Sequence, residues 1–386
     1  MEAPPRETEV LILGGGPAGL SAAGALKHHG ISPVVLERDE RIGGSWKRRY
    51  ERLHLHTVRT FSGLAYFPIS GRYPKYVSKD QYAEYLQAYA DHFGLEVQLG
   101  CAAQRVRVDP QSDPQRPVLV VETDRGFWRA RNVVVSTGMY RQPKIPAFPG
   151  LPDFRGSAVH ASAYASGRDY AGKRVLVVGI GNTGAELAVD AAEQGAAYVA
   201  ISIRSVPPIV PRDVLGRPVQ VSGMLLSRLP PHLADRIGRT ISRVVFGDLS
   251  GYGIGRPDWS PFSAKRVPVI DVGFVANLKN GRVAVRPNIA RFTPQGVVFA
   301  DGRTEAYDVV LFATGYGTGL DQLLDVPGVL NEAGYPLSRS GEPSSQAGLY
   351  FMGFLRSNRG HLFETNLDSR RLAENIVKTT AEKRVA

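Results

Sequence analysis

Val10-Leu11-Ile12-Leu13-Gly14-Gly15-Gly16-Pro17-Ala18-Gly19 and Val175-Leu176-Val177-Val178-Gly179-Ile180-Gly181-Asn182-Thr183-Gly184 are one pattern written twice. Each is an apolar run, then G-x-G-x-x-G, then an alanine-rich segment, with a small residue (Ala23, Ala188) four positions past the third glycine. The first glycine permits a tight bend after a strand. The second lets the backbone approach a pyrophosphate that a Cβ would block, and the third lets the following helix pack on the strand. The helix N-terminus then offers free N–H groups and partial positive charge to phosphate. Two such turns in one chain predict an α/β protein with two Rossmann-like dinucleotide-binding units. Gly14, Gly16, Pro17, Ala18 and Gly19 form one cradle, and Gly179, Gly181, Asn182, Thr183 and Gly184 the other.

The end of the next strand says which nucleotide each turn takes. After the first helix comes Val34-Val35-Leu36-Glu37-Arg38. Glu37 follows Gly14 at close to the ~20-residue spacing of the acid that accepts ribose hydroxyls. An unmodified ribose fits the adenosine half of FAD. After the second helix comes Val199-Ala200-Ile201-Ser202-Ile203-Arg204-Ser205, with no acid. Arg204, with Ser205, suits a ribose 2′-phosphate and points to NADPH. A flavin and a nicotinamide nucleotide in one chain imply a redox enzyme.

Further segments place these units. Lys79–His92 carries Tyr82, Tyr85, Leu86 and Tyr89 at helical spacing. Strands are expected at Cys101–Val108, Pro117–Thr123, Gly126–Ala130 and Val133–Gly138, and His54 and His56 alternate as on a strand. The step Ser136-Thr137-Gly138 leads into the proline-rich link Pro143–Pro152, and Asp308–Ala313 ends in the same way at Thr314-Gly315-Tyr316. Two strands ending in Thr-Gly suit chain crossings between units. The NADPH domain, residues 166–317, is therefore expected to be inserted into an FAD domain made of 1–165 and 318–386. Within the Gly/Pro-rich stretch Pro207–Pro268, Met224–Leu229 and His232–Phe246 have helical patterning.

Composition fits this reading. The 386 residues are 43% hydrophobic and 22% charged, a globular balance. The net charge of +11 suits attraction of polyanionic cofactors, and no basic run with interleaved aromatics points to nucleic acid. No apolar run spans a membrane, no signal peptide opens Met1–Arg6, and Lys378–Ala386 is too polar for an anchor. A cytoplasmic enzyme is expected, as a monomer or a homodimer. The single cysteine, Cys101, rules out an intramolecular dithiol and with it the chemistry of flavin disulfide reductases. The eight histidines form no ligand spacing, so no metal site is expected.

The stretch Phe154-Arg155-Gly156-Ser157-Ala158-Val159-His160-Ala161-Ser162-Ala163-Tyr164 resembles the F-x-G-x-x-x-H-x-x-x-(F/Y) fingerprint of class B flavin-containing monooxygenases. Gly43-Gly44-Ser45-Trp46 and Ala313-Thr314-Gly315-Tyr316 are similar to that family's G-G-x-W and A-T-G-Y steps. Tyr50–His56, Tyr73–His92, Gly172–Gly184 and Val267–Gly273 resemble the YUCCA branch, which acts on indole-3-pyruvate. The fingerprint ends in Tyr164, unlike type I Baeyer–Villiger enzymes. The resemblance implies hydride transfer from NADPH to FAD, reaction of the reduced flavin with O2 to a C4a-hydroperoxide, and oxygenation of a small α-keto acid, amine or sulfide. It implies further FAD contacts at Gly44, Ser45, Trp46, Thr137 and Gly138. Ala313, Thr314, Gly315 and Tyr316 would serve cofactor binding too, and Phe154, Gly156, His160 and Tyr164 would act as a linker coupling NADPH binding to domain motion. An NADPH oxidase or flavin-linked reductase, and a non-catalytic flavoprotein, remain open on the same scaffold.

Overall fold

The two apolar runs become the central strands of two separate sheets. The computed structural model describes residues 5–114, 116–355 and 357–385, with side chains through 379. Parts of the terminal stretches Met1–Arg6 and Lys378–Ala386 fall outside the described residues.

In the first sheet Arg6–Leu13 pairs in parallel with Val34–Leu36 on one side and with Gly126–Val135 on the other. Glu96–Gln98 extends the parallel edge. The long strand Gly126–Val135 serves two partners on its far side. Its first half pairs antiparallel with Leu119–Thr123, and its last three residues pair in parallel with Leu349–Phe351, a strand from near the other end of the chain. The second sheet has five strands in the order Ala284–Arg286, Tyr198–Ser202, Arg174–Val178, Val309–Phe312, Ser157–His160, all parallel. Parallel strands covered on both faces must be apolar throughout, and Val10–Leu13, Val175–Val177 and Val309–Phe312 are all buried.

The chain thus builds most of the first sheet, then the second, and returns. Its two crossings lie side by side: Gln142–Pro143 pairs antiparallel with Tyr316–Gly317. After the return, helix His361–Val385 packs along helix Pro17–His28, where the Ser21 and Ser369 hydroxyls meet at 2.8 Å. The strand Ser157–His160, which lies ahead of the expected junction at residue 165, belongs to the second sheet.

Local differences from the sequence expectations have identifiable causes. The helix Lys79–Phe93 begins with a capping box, Ser78 with Gln81, and ends at Gly94. Gly126–Val135 is one strand and not two. Cys101 lies before the strand Ala103–Val108; it is buried and its N–H bonds to the Glu37 carbonyl. His54 and His56 are not on a strand. His54 makes one isolated bridge to Ser78, and His56 turns toward a carboxylate of the second unit. The helix expected at Met224–Leu229 runs from Val219 to Leu226, because Pro230 and Pro231 stop it and start the next helix, Pro231–Phe246. Among the described residues no helix is long and apolar enough to cross a membrane, and no cluster of metal-ligating side chains exists.

Candidate active site

The two glycine turns are built alike, down to their hydrogen bonds. Gly14 and Gly179 have φ of +109° and +100°, and their N–H groups bond to the carbonyls of Leu36 and Ser202 at the ends of the neighbouring strands. A Cβ on Gly14 would lie 2.7 Å from the Ser136 carbonyl oxygen, and one on Gly179 would lie 2.9 Å from that of Ala313. A Cβ on Gly19 or Gly184 would overlap the carbonyl oxygen of Gly14 or Gly179. The middle glycines behave oppositely: at Gly16 and Gly181 a Cβ would meet nothing within 4 Å. Each turn therefore leaves open space before a helix whose first amides have no side-chain cap.

Around the first turn the structure gathers most of the residues expected there. Glu37 receives the Gly15 N–H at 2.6 Å on one oxygen and the Asp39 N–H at 2.9 Å on the other. Burial raises its pKa above the ordinary carboxylate value, and the two backbone donors oppose that only in part. Gly44 packs over the Asp39 carboxylate, which pairs with Arg48. Ser45 is exposed, and Trp46 stands edge-on to Tyr82 at 4.6 Å. Thr137 follows Ser136 against Gly14, and Gly138 has φ +82°.

A flavin nucleotide can be tested against this donor set. The Thr137 hydroxyl is buried beside the turn with no hydrogen-bond partner. One guanidinium nitrogen of Arg141 is likewise buried and unpartnered. Burial lowers the Arg141 pKa, and the nearby Arg38 charge pushes it the same way. An idle hydroxyl, a buried unpartnered guanidinium nitrogen with a second arginine near it, and an oriented carboxylate match the phosphates and ribose of a dinucleotide. The residues fit the group. The sequence did not single out Arg141; its only signal was a basic residue shortly after the Thr-Gly step. Gly353 was missed as well: it presses on Ala18, where a Cβ would sit 2.7 Å from the Ala18 methyl.

At the second turn, Ala313 closes behind Gly179 and Gly184, and Arg204 and Ser205 are exposed just past the strand whose last carbonyl holds Gly179. Arg204 makes no ion pair among the described residues. The Asn182 side chain is already engaged. It donates to the Pro268 carbonyl at 3.2 Å and accepts the Ile270 N–H at 2.7 Å, so it pins the strand Val269–Asp271. Thr183 sits half-buried on the first turn of the helix. Thr314 donates to the Lys144 carbonyl.

The fingerprint residues divide into two pairs. Phe154 packs with Phe292 in the core of the second sheet. Gly156 is required for space and not for an unusual φ: a Cβ would lie 2.6 Å from the Asp308 carbonyl oxygen and would overlap the Phe154 ring. His160 and Tyr164 are also buried, but each ends in a polar contact. The His160 Nδ1 accepts the Ser162 N–H at 3.1 Å, so the proton sits on Nε2 and donates to the Gly315 carbonyl at 3.0 Å. Burial lowers the His160 pKa, which keeps the ring neutral. Its ring lies edge-on to Tyr316 at 4.7 Å, and Arg49 donates to the Tyr316 hydroxyl. Tyr164 donates to Asp190 at 2.8 Å.

Two glycine turns of the nucleotide-binding kind, one beside an oriented carboxylate and one beside an exposed arginine, are the framework of a two-dinucleotide flavoprotein oxidoreductase. The flavin-binding monooxygenase-like family model matches residues 7–378, and the chain belongs to that family. It is a flavoprotein monooxygenase whose cofactors are FAD and NADPH. It is 36% identical to indole-3-pyruvate monooxygenase YUCCA1 of Oryza sativa subsp. japonica, over 96% of this chain and 92% of that one. It is 35% identical to indole-3-pyruvate monooxygenase YUCCA6 of Arabidopsis thaliana, over 96% and 90%. The fold is also that of a flavin-containing monooxygenase from Stenotrophomonas maltophilia, with TM-score 0.74 at 23% identity over 97% of this chain and 99% of that one. An oxidized steroid monooxygenase bound to NADP superposes with TM-score 0.73 at 21% identity, over 97% and 86%.

Proposed function

We propose that this monooxygenase acts on an α-keto acid of the indole-3-pyruvate type, in the cytoplasm, by oxidative decarboxylation. The balanced reaction is R–CO–COOH + NADPH + H⁺ + O2 → R–COOH + CO2 + NADP⁺ + H2O. The observation that carries the substrate class is the near-full-length similarity to relatives named as indole-3-pyruvate monooxygenases.

In this reading the chain divides as 1–165 with 318–386 for FAD and 166–317 for NADPH, with the strand Ser157–His160 contributed to the NADPH sheet. Bound FAD supplies the redox and oxygen chemistry. The protein binds and orients. Gly16 leaves room for the flavin pyrophosphate, Glu37 accepts the ribose hydroxyls, Arg141 and Thr137 supply the idle donors, and exposed Arg38 adds a second positive charge. Gly181 leaves room for the second pyrophosphate, and Arg204 meets the 2′-phosphate. Neutral His160 holds the Gly315 carbonyl in place where the chain leaves the second sheet.

The test counts NADPH consumed, O2 consumed, H2O2 released and carboxylic acid formed by purified protein with indole-3-pyruvate and with an amine and a sulfide. The keto acid should raise product and suppress H2O2. Equal H2O2 yield with and without every substrate would refute the reading and favour an oxidase.

A further inference from the structure

Helix Asn182–Glu193 carries three acids at positions 186, 190 and 193, spaced to share one face. All three are engaged outside the helix, and two of them by the same short segment. Glu186, 4% exposed, accepts the Tyr50 hydroxyl at 2.5 Å on one oxygen and faces His56 Nε2 with the other. Glu193 pairs with Arg52, which also donates to the Val272 carbonyl. Asp190 takes the Tyr164 hydroxyl and the Gly167 N–H, both at 2.8 Å. The backbone closes the gap between these ties, with Glu51 N–H bonded to the Ala165 carbonyl. Tyr50 packs into the core of the second sheet, although its segment continues directly from the Gly44–Lys47 helix beside the first cradle. Its hydroxyl stays protonated, because burial and then the Glu186 charge push its pKa well up.

A buried carboxylate gripped from across a domain boundary is a poor device for stability alone, since apolar replacements of such groups are often neutral or stabilising. It is a good device for register. The helix that bears Glu186 begins at Gly181, where the second nucleotide docks in the reading proposed above, on which this inference rests. We infer that Glu186 is a positioning residue: by holding Tyr50 and His56 it couples the second glycine helix, and the nicotinamide nucleotide bound at its N-terminus, to the flavin-side segment Gly44–His56. Without that grip the nucleotide still binds, but the hydride donor is no longer held at the flavin.

Two measurements on the holoenzyme test this. In hydrogen exchange, NADP⁺ should slow amides of residues 179–184 and also of 50–57, the latter by at least about fivefold, the lower end of ordinary site coupling. In Glu186→Gln, protection at 179–184 should persist and protection at 50–57 should vanish. In anaerobic mixing with NADPH, the limiting rate of flavin reduction should fall about tenfold or more, since ~1 Å of misplacement costs ~10²-fold, while the NADP⁺ dissociation constant stays within about twofold. Tyr50→Phe removes one hydroxyl, should give the same pattern, and serves if Glu186→Gln does not fold. Its effect should not add to that of Glu186→Gln in the double variant. Retained protection at 50–57 in both single variants would overturn the inference, as would a wild-type protein that protects 179–184 alone. A wild-type protein in which NADP⁺ protects neither segment would instead overturn the nucleotide assignment itself.

Discussion

Alanine at Gly16 and alanine at Gly19 are the same chemical change three residues apart, and they should fail in opposite ways. Gly16 has φ −79° and ψ −176°, a conformation open to any residue, and a Cβ there meets nothing within 4 Å. In the flavin-free protein Gly16→Ala should be neutral or should stabilise by about 0.4–1 kcal/mol, through the lost entropy of the unfolded chain. The methyl then stands where the pyrophosphate must approach the helix. Each charge-assisted hydrogen bond forfeited is worth about 1.5–3 kcal/mol, so FAD affinity should fall by about ten- to a hundredfold or more. At Gly19 the methyl would overlap the Gly14 carbonyl oxygen, so the helix must lift off its strand. Overpacking of that kind costs about 1–3 kcal/mol, occasionally more, with or without flavin. Gly181→Ala and Gly184→Ala repeat the contrast for the nicotinamide nucleotide. The assays are urea denaturation of flavin-stripped protein and titration of FAD by fluorescence quenching. A Gly16→Ala protein with wild-type FAD affinity, or one destabilised as much as Gly19→Ala, would refute the argument.

Arg204→Ala should weaken NADPH by about ten- to a hundredfold and leave NADH nearly unchanged, from the ~1.5–3 kcal/mol of a bond to a charged group; equal losses for both coenzymes would remove Arg204 from that role. Burial lowers the pKa of both His160 and His361. The unfolded chain therefore binds more protons than the folded one as pH falls below about 6.5, and stability declines through that window. Melting temperature should drop from pH 7.5 to 5.5, and His361→Asn should flatten the slope; an unchanged slope in His361→Asn and His160→Asn would sever the link. Gly156→Ala should lower stability by about 1–3 kcal/mol through contact with Asp308 and Phe154, measured by chemical denaturation; a neutral result would mean the strand Ser157–His160 shifts freely.

What could be read from the sequence was local. A G-x-G-x-x-G turn shows itself by glycine spacing between an apolar run and an alanine-rich segment, and Glu37 and Arg204 follow at the end of the next strand, so both turns were visible in the order of residues, although Gly14 and Gly179 are also held to glycine by the distant carbonyls of Ser136 and Ala313. The insertion was visible because Ser136-Thr137-Gly138 and Ala313-Thr314-Gly315 repeat a strand end. What escaped depended on partners distant in the chain. The Glu186 carboxylate lies two residues past Gly184, yet its meaning comes from Tyr50 and His56, which belong to another stretch of the chain. The alternation of His54 and His56 resembled a strand, but His56 is placed by Glu186 and not by a ladder. The Arg141 guanidinium gains its significance from burial and from Arg38, neither of which has a pattern in the sequence. Gly156 was marked in the sequence only as a fingerprint position; that it must be glycine for lack of room beside Asp308 and Phe154 was not legible.

The strand Leu349–Phe351 completes a sheet begun at Arg6, and this has a consequence during synthesis. When Gly126–Val135 leaves the ribosome, its last three residues have no neighbour on one side. Their partner follows roughly two hundred residues later, on the order of ten to forty seconds at ~5–20 residues per second. Throughout that interval Val133-Val134-Val135 is an apolar edge open to pairing with other chains. The second unit, whose five strands all lie within residues 157–286 and 309–312, can fold while the first waits. A nascent chain whose emerged part ends between residues 315 and 345 should therefore hold a finished domain downstream of an unfinished one, and it should be the species most in need of a chaperone.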